Sequence, residues 1–268
     1  MERIDGVFTN RTTPALIGFT VAGDPDKKTC IRIARALIGA GTDILELGVP
    51  FSDPVADGPV IQRAGERALA AGTTPDTVFA IVRELRSQSE VPIVLLTYFN
   101  TVYRRGIETF YRDAADAGVD GILIADMPVE ESAEVLKAAT KNRIAPIFLV
   151  TRITSDERLE KIAKKGRGFL YLVSVLGVTG VRTRIPQEAF DLVRRTKAIT
   201  DLPVALGFGI STPEQVRACA TNGVDGVIVG SAIVNIIERT VKNPDVMESE
   251  LAGYISLLKQ AAAVPLPP

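Results

Sequence analysis

The sequence predicts an α/β fold, a single-domain (β/α)8 TIM barrel spanning residues 1–268 with a short extra helix before the first strand. Short β-branched runs alternate with longer helical patterns through all 268 residues, and eight such runs can be placed. A turn pattern that recurs between helix and strand supports the same architecture. The length agrees as well, because barrels of this class commonly use roughly 250 residues as one domain.

Each predicted strand is a run of β-branched and other apolar residues, and each predicted helix has a longer amphipathic pattern. In chain order the strands are 15–20, 43–49, 91–98, 119–125, 144–150, 168–174, 203–207 and 224–229. The helical patterns between them include 27–40, 75–88, 107–117, 130–140, 156–165, 186–199 and 213–221. Several of these start at proline or have acidic residues in the first turn, as helices do. No linker-like tract separates the elements, so we expect one domain.

The recurring turn places glycine just after a helix and aspartate at the start of a strand. Its three copies are Ala-Gly-Thr-Asp at 40–43, Ala-Gly-Val-Asp at 117–120 and Asn-Gly-Val-Asp at 222–225. Turns from helix to strand lie at the bottom face of such a barrel, away from the face that carries chemistry. The three aspartates are therefore interpreted as structural.

Composition excludes several classes of function. The 31 basic and 32 acidic residues nearly balance, which argues against a nucleic-acid partner. The absence of histidine excludes mechanisms in which imidazole is the base or a metal ligand. Cys30 and Cys219 form no close pair, so neither a disulfide framework nor a thiolate metal site is expected. No uncharged run reaches the ~20 residues of a membrane span, and no signal peptide begins the chain, which favours a cytoplasmic protein.

Glu46 is the first candidate for catalysis. The second strand places Ile44, Glu46 and Gly48 on one face, and helices must cover the other face, so Glu46 points into the barrel. A carboxylate among apolar walls should have a raised pKa, in the range of a working acid or base. The alternative is a buried glutamate bonded to a backbone amide.

The loop after this strand, residues 50–59, contributes two further carboxylates, Asp53 and Asp57. Asp-Pro and Asp-Gly-Pro are ordinary turn signals, so each aspartate could simply form a turn. Active sites of these barrels lie at the carboxyl ends of the strands, however, and this loop lies there. We therefore expect at least one of the two to be functional.

Glycine-rich segments follow the seventh and eighth strands, at 206–211 and 229–232. Glycine lets backbone N–H groups approach an anion, and a helix beginning near Ser231 adds the positive end of its dipole. These loops are the usual phosphate position in barrel enzymes, although tight turns would have the same composition. The sixth loop, 174–182, is long and rich in glycine, which suits either a closing lid or a plain surface loop.

The segments LELGVPFSDP at 45–54, ADGPVIQ at 56–62, GVTG at 177–180 and GFGIS at 207–211 closely resemble the tryptophan synthase alpha chain family. The resemblance spans nearly the whole length. It implies a lyase of tryptophan biosynthesis that cleaves indole-3-glycerol phosphate to indole and glyceraldehyde 3-phosphate. It also implies a beta chain partner, in an α2β2 heterotetramer, that uses pyridoxal phosphate to condense indole with serine. No cofactor is then expected in this chain.

The resemblance also assigns residues by position. Glu46 and Asp57 match the catalytic pair, with Glu46 delivering the proton to indole C3 and Asp57 facing the indole N–H. The remaining matches are Phe19, Leu96, Tyr98 and Tyr171 for the indole and glycerol pocket, Thr179 and Gly180 for the lid, Gly180, Phe208, Gly209, Gly230 and Ser231 for the phosphate cradle, and Pro50, Phe51 and Asp53 for the partner interface. For the aromatic residues, ordinary core packing is the alternative.

Composition independently restricts how a carbon–carbon bond could break. A Schiff-base aldolase needs a lysine inside the barrel, and the predicted strands contain none. A metal aldolase usually needs a histidine cluster. Acid–base chemistry on a substrate that supplies its own electron sink is what remains, and indole is such a sink.

Two alternatives stay open. Another phosphate-binding barrel, such as an indole-glycerol-phosphate synthase or a sugar-phosphate isomerase, would share the glycine cradle, although the synthase would need the missing strand lysine. A regulatory module that docks on the beta chain without catalysis would share the docking loop. The presence of both Glu46 and Asp57 argues against that second alternative.

Overall fold

A computed structural model of the chain describes residues 2–173, 185–207 and 209–264. Eight parallel strands pair in sequence order, and the eighth pairs with the first, so the sheet closes into a barrel. The predicted fold class is thereby confirmed. The strands are β1 (Ala15–Val21), β2 (Ile44–Gly48), β3 (Ile93–Thr97), β4 (Gly121–Ile124), β5 (Ala145–Thr151), β6 (Leu170–Val173), β7 (Val204–Gly207) and β8 (Gly226–Val229).

Helices surround the barrel, and within the described ranges they number twelve. They are α1 (Glu2–Phe8), α2 (Lys27–Gly39), α3 (Pro59–Ala70), α4 (Pro75–Arg86), α5 (Phe99–Arg105), α6 (Ile107–Ala117), α7 (Ala133–Lys141), α8 (Asp156–Lys165), α9 (Gln187–Lys197), α10 (Pro213–Thr221), α11 (Ser231–Thr240) and α12 (Pro244–Ala262). The predicted pattern 130–140 divides into a 3-10 turn, Val129–Glu131, and α7. The structure adds α3, α5 and α12, which the sequence patterns did not name.

The barrel interior is a small apolar cluster that α1 closes from below. Every strand contributes at least one residue to it, in alternation with residues that face the helices. Ile4 of α1 belongs to the same cluster and would touch a Cβ atom added to Gly121 or Gly168. The strand residues of this cluster include Ile17, Ile44, Val94, Leu123, Ile147, Tyr171, Ala205 and Ile228. The predicted extra helix therefore acts as a plug at the amino-terminal end of the strands.

The three repeated aspartates join pairs of strands at this bottom face. The Asp43 carboxylate accepts the Leu16 N–H at 2.7 Å, Asp120 accepts the Ile93 N–H at 2.9 Å, and Asp225 accepts the Val204 N–H at 2.8 Å. Each carboxylate thus binds the backbone of the preceding strand and also pairs with a basic side chain. Their structural interpretation is confirmed. Strands β2, β4 and β8 begin one or two residues later than predicted, after these aspartates.

The described part of the chain contains no helix that is both long and apolar enough to span a membrane. Cys30 and Cys219 are both free and buried.

Candidate active site

Glu46 lies at the centre of β2, and its side chain is fully buried. Its backbone registers with Phe19 on β1 and Val94 on β3, so the carboxyl group lies inside the barrel as predicted. Among the described residues, neither carboxyl oxygen has a hydrogen-bond partner. Burial, with a smaller contribution from the charge of Asp57, raises the pKa of Glu46 to about 8. The alternative of a glutamate bonded to a backbone amide is therefore not what the structure shows.

Asp57 lies in the loop between β2 and α3 and is half-buried. Burial raises its pKa to about 6, although a hydrogen bond from the Tyr98 hydroxyl acts in the opposite direction. That hydroxyl also accepts the Ala56 N–H at 3.2 Å. Tyr98, at the end of β3, therefore holds the loop that carries Asp57. The Asp57 carboxyl bonds this phenol, which supports a functional interpretation over a simple turn former.

Four residues predicted to line a pocket surround the two carboxyl groups. Phe19, Tyr98 and Tyr171 are buried, and Leu96 is half-buried. Burial, followed by the charges of Glu46 and Asp57, raises the pKa of Tyr171. Phe19 and Leu96 also line one pocket together with Asp57, which places apolar walls next to a carboxylate.

Three glycines make room for these rings. A Cβ atom on Gly48 would lie 2.8 Å from Cζ of Phe19, and one on Gly207 would lie 2.8 Å from Cε1 of Tyr171. A Cβ atom on Gly230 would approach Cδ1 of Phe19 to 3.2 Å. The glycines of the predicted phosphate loops therefore also set the positions of the aromatic walls.

Part of the predicted phosphate cradle is described. Gly209 has a φ of +81° in open space, and Gly230 is the N-cap of α11, which begins at Ser231. The first N–H groups of a helix have no partner within it, so this end of α11 can accept an anion. Phe208, Thr179 and Gly180 lie outside the described residues, as does the whole of the predicted lid, 174–182.

Two side chains that the sequence analysis did not identify bind Ser211, the last residue of the glycine-rich segment 206–211. The Gln215 side-chain oxygen accepts the Ser211 N–H at 2.8 Å, and the Tyr254 hydroxyl of α12 donates to the Ser211 carbonyl at 2.8 Å. Gln215 is the N3 residue of a capping box that begins at Thr212, a pattern readable from sequence. No local pattern could have identified Tyr254, which lies 43 residues away.

The loop assigned to the partner interface is only partly exposed. The ring of Phe51 is half-buried and stacks on Tyr98 with centroids 5.1 Å apart. Pro50 is also half-buried, and Asp53 is exposed. Val55, which the sequence did not single out, is 83% exposed at the tip of the loop. Val55 is therefore the more exposed apolar side chain of this loop, and Phe51 the less exposed one.

None of the eight strands, as the structure bounds them, contains a lysine that could form a Schiff base inside the barrel. In the described ranges, no group of three or more cysteine and carboxylate side chains could hold a metal ion.

The chain matches the family model described as tryptophan synthase alpha chain over residues 8–263. It is 65% identical to the tryptophan synthase alpha chain of Methanoregula boonei, over 98% of this chain and 99% of that protein. Its fold is similar to a chain of the Pyrococcus furiosus tryptophan synthase a2b2 complex, with a TM-score of 0.87, 42% identity and coverage of 93% and 99%. A chain of Mycobacterium tuberculosis tryptophan synthase gives a TM-score of 0.89 at 36% identity, with coverage of 97% and 98%.

Proposed function

The chain belongs to the tryptophan synthase alpha chain family, and we propose that Glu46 and Asp57 perform in it the cleavage of indole-3-glycerol phosphate to indole and glyceraldehyde 3-phosphate. The protein is a lyase of tryptophan biosynthesis. The observation that supports the assignment of residues is the Glu46 carboxyl, which is fully buried, lacks a hydrogen-bond partner in the described residues and has a pKa of about 8.

The two pKa values suit two different roles. At neutral pH Glu46, with a pKa of about 8, carries its proton, whereas Asp57, with a pKa of about 6, is ionised. A neutral acid can deliver a proton to the indole ring, and a carboxylate can stabilise the positive charge that then develops at the ring N–H. Environments that separate the pKa values of two nearby carboxyl groups typically divide acid and base roles in this way.

The reaction follows from these states. Glu46 protonates C3 of the indole ring, which gives an indoleninium ion whose N–H faces the Asp57 carboxylate. The Glu46 carboxylate then removes the proton of the glycerol hydroxyl next to the scissile bond. That C–O bond becomes a carbonyl, the C–C bond breaks, and its electron pair restores the aromatic ring. Glu46 ends the cycle protonated, as it began.

We assign the substrate's apolar and anionic ends to opposite parts of the site. Phe19, Leu96, Tyr98 and Tyr171 would hold the indole and glycerol groups, because their side chains surround the two carboxyl groups. Backbone amides at Gly209, Gly230 and Ser231 would hold the phosphate, since no lysine or arginine lies in 207–211 or 229–232. By the family resemblance, Thr179, Gly180 and Phe208 complete the lid and the cradle.

The partner of this lyase is the tryptophan synthase beta chain, in the α2β2 arrangement that structures such as the Pyrococcus furiosus complex have. We propose that Pro50, Phe51 and Asp53 belong to its docking surface, because their loop lies at the carboxyl ends of the strands beside Asp57. Pyridoxal phosphate would then belong to the beta chain, with no cofactor in this one. The reduced, buried cysteines suit a cytoplasmic location.

Incubation of the purified chain with indole-3-glycerol phosphate, with and without a beta chain, tests the proposal. Release of indole and glyceraldehyde 3-phosphate in equal amounts is the expected result. If a beta chain binds but no indole forms in either case, the chain is a docking module without catalysis. A product that retains the glycerol carbons on the ring would indicate another phosphate-binding barrel enzyme.

A further inference from the structure

Three charged side chains from distant parts of the sequence form an ion cluster behind the active site. Asp24, in the loop after β1, has a fully buried side chain. Arg67 of α3 donates to both its carboxylate oxygens, at 2.7 and 2.8 Å, and a third nitrogen contact joins Arg67 to Glu238 of α11 at 3.0 Å. We name Asp24, Arg67 and Glu238 the α3–α11 cluster. Arg63, on the solvent side, also pairs with Glu238.

The cluster connects the two helices whose first turns reach the active site. Helix α3 begins at Pro59, two residues after Asp57, and Arg67 lies roughly 12 Å along its axis. Helix α11 begins at Ser231, at the proposed phosphate cradle, and Glu238 lies roughly 10 Å along it. The two helices pack on each other and on β1. Arg67 is therefore the one side chain of this cluster that contacts both other members.

The contact between Arg67 and Asp24 matters because an ionised carboxylate is costly to bury without a charged partner. Burial raises the pKa of Asp24, and Arg67 acts against that rise through a hydrogen bond and its charge. Without Arg67, Asp24 would have to take up a proton or admit water, and the loop after β1 would lose its tie to α3. Arg63, by contrast, is 47% exposed and contacts Glu238 alone within the cluster.

We propose that Arg67 is a positioning residue that fixes α3 relative to α11, and with them the catalytic Asp57 relative to the phosphate cradle; this rests on the proposed function. A rotation of α3 by about 5° about the cluster would move its first turn by about 1 Å. Misplacement by about 1 Å of a group that reacts or orients can cost about 100-fold in rate. The two ends of the substrate are held by two different helices, so their relative position affects both binding and turnover.

Four variants test this inference, with kcat, KM for indole-3-glycerol phosphate and the dissociation constant of inorganic phosphate as readouts. Arg67→Lys keeps the charge but loses the two-pronged contact, and it should lower kcat/KM by about 10-fold or more, with kcat and phosphate affinity both reduced. Arg67→Met should have a larger effect. Glu238→Gln weakens the contacts of α11 with α3 but leaves Arg67 paired with Asp24, so it should weaken phosphate binding by about 5-fold and lower kcat less than Arg67→Lys does. Arg112→Met is the matched control and should resemble the wild type, because Arg112 of α6 is 60% exposed and pairs with the neighbouring Asp113.

Thermal unfolding of the variants, compared with their kinetics and phosphate binding, distinguishes a positioning role of Arg67 from a purely structural one. If the variants melt earlier but show wild-type kcat, KM and phosphate affinity well below the melting temperature, the inference is wrong. Arg67→Lys and Glu238→Gln keep most of the buried contacts, so the result stands even if Arg67→Met fails to fold. An inactive wild type would contradict the proposed function instead. Phosphate binding by Glu238→Gln, compared with Arg112→Met, would still decide the cluster's role.

Discussion

At the scale of single residues, the site depends on one carboxyl group that the fold deprives of solvent and of hydrogen bonds. Burial of an ionised carboxylate costs several kcal/mol, and the group retains its proton instead. Glu46 can therefore donate a proton at neutral pH, which an exposed glutamate with a pKa near 4.5 could not do. Asp57 remains the anion because the Tyr98 hydroxyl stabilises its charged form.

Substitution of Glu46 by Gln should lower turnover by at least about 10³- to 10⁴-fold, because general acid–base catalysis is worth 10²- to 10⁴-fold and Glu46 acts in two proton transfers. Substrate KM should change much less. Single-turnover indole release, with exposed Glu84→Gln as the control, measures the effect. Near-normal indole release by a folded Glu46→Gln variant would exclude the assignment.

The same variant should change the pH dependence of stability. In the folded protein Glu46 keeps its proton up to a pKa of about 8, whereas the unfolded chain releases it near 4.5. Its contribution to stability is therefore fully present below pH 4.5 and is lost as the pH rises through 8. Between pH 5 and 9, the wild type should lose more free energy of unfolding than Glu46→Gln, as urea unfolding would show; equal losses would contradict the raised pKa.

Activity should follow a bell-shaped pH profile. Asp57 must be ionised and Glu46 protonated, so kcat/KM should rise with pH near 6 and fall near 8. The two pKa values obtained from these limbs are apparent values of the pair, because the two carboxyl groups interact. Asp57→Asn should lower activity and remove the acid limb of the profile. A flat profile between pH 5 and 9 in the wild type would be incompatible with the proposed roles.

At the scale of secondary-structure elements, the site is assembled from helix ends and loops that other elements hold in place. The Gly209 segment has open space around it, and glycine provides little restraint of its own. Its far end is restrained at Ser211, where Gln215 binds the N–H and Tyr254 of α12 binds the carbonyl. A helix that contributes nothing to the sheet therefore helps to order a loop for phosphate.

Substitution of Tyr254 by Phe removes one hydroxyl and should weaken inorganic phosphate binding by about 2- to 10-fold, the value of one net hydrogen bond. KM should rise by a similar factor, with kcat unchanged, because the loop is proposed to bind the phosphate and not the reacting carbon. Isothermal titration with phosphate measures this. Tyr103→Phe, a change at a tyrosine 66% exposed on α5, is the matched control. Equal phosphate affinity in both variants would mean that the Tyr254 contact does not order the loop.

At the scale of the whole molecule, a plugged barrel has one open end for chemistry and one sealed end for stability. Helix α1 and the three aspartates occupy the amino-terminal ends of the strands, and the carboxyl groups and glycine loops occupy the other. Indole is small and apolar, so a lyase that releases it benefits from opening its exit toward the enzyme that consumes it. The exposed Val55 beside Asp57 provides an apolar contact at that end.

Titration of the chain with a cognate beta chain should give saturable activation and a complex on gel filtration, because docking orders the loop that carries Asp57. Val55→Asp should weaken the complex, since it places a charge in the centre of an apolar contact. Leu257→Asp, at a leucine 57% exposed on α12, should not. Unchanged activity and no complex at micromolar concentrations would contradict the docking surface.

The prediction of a single domain can be tested by unfolding the free chain. The eight strands share one closed sheet, so unfolding of any strand opens the barrel. We expect a single cooperative transition, with far-ultraviolet circular dichroism and tyrosine fluorescence giving the same midpoint. Two separated transitions in the free chain would indicate two cooperative units.

The barrel could be predicted from the sequence, because strand and helix patterns are local and repeat along the chain. The alternation of β2 placed Glu46 inside and Leu45 outside, and turn chemistry identified the bottom-face aspartates. Helices α3, α5 and α12 were not predicted from the patterns, and β2, β4 and β8 begin one or two residues later than predicted.

Which side chains from distant parts of the sequence come into contact could not be predicted and depends on how the barrel closes. The Tyr98 hydroxyl, at the end of the next strand, bonds the Asp57 loop, and Tyr254 bonds Ser211 from 43 residues away. Arg67 bonds both Asp24 and Glu238, which lie far from it in the sequence. The pKa values near 8 and 6 likewise depend on what surrounds each carboxyl group. Such contacts form only when the barrel closes and brings distant segments together. A local sequence pattern cannot predict them, because it describes only residues that are near one another in the chain.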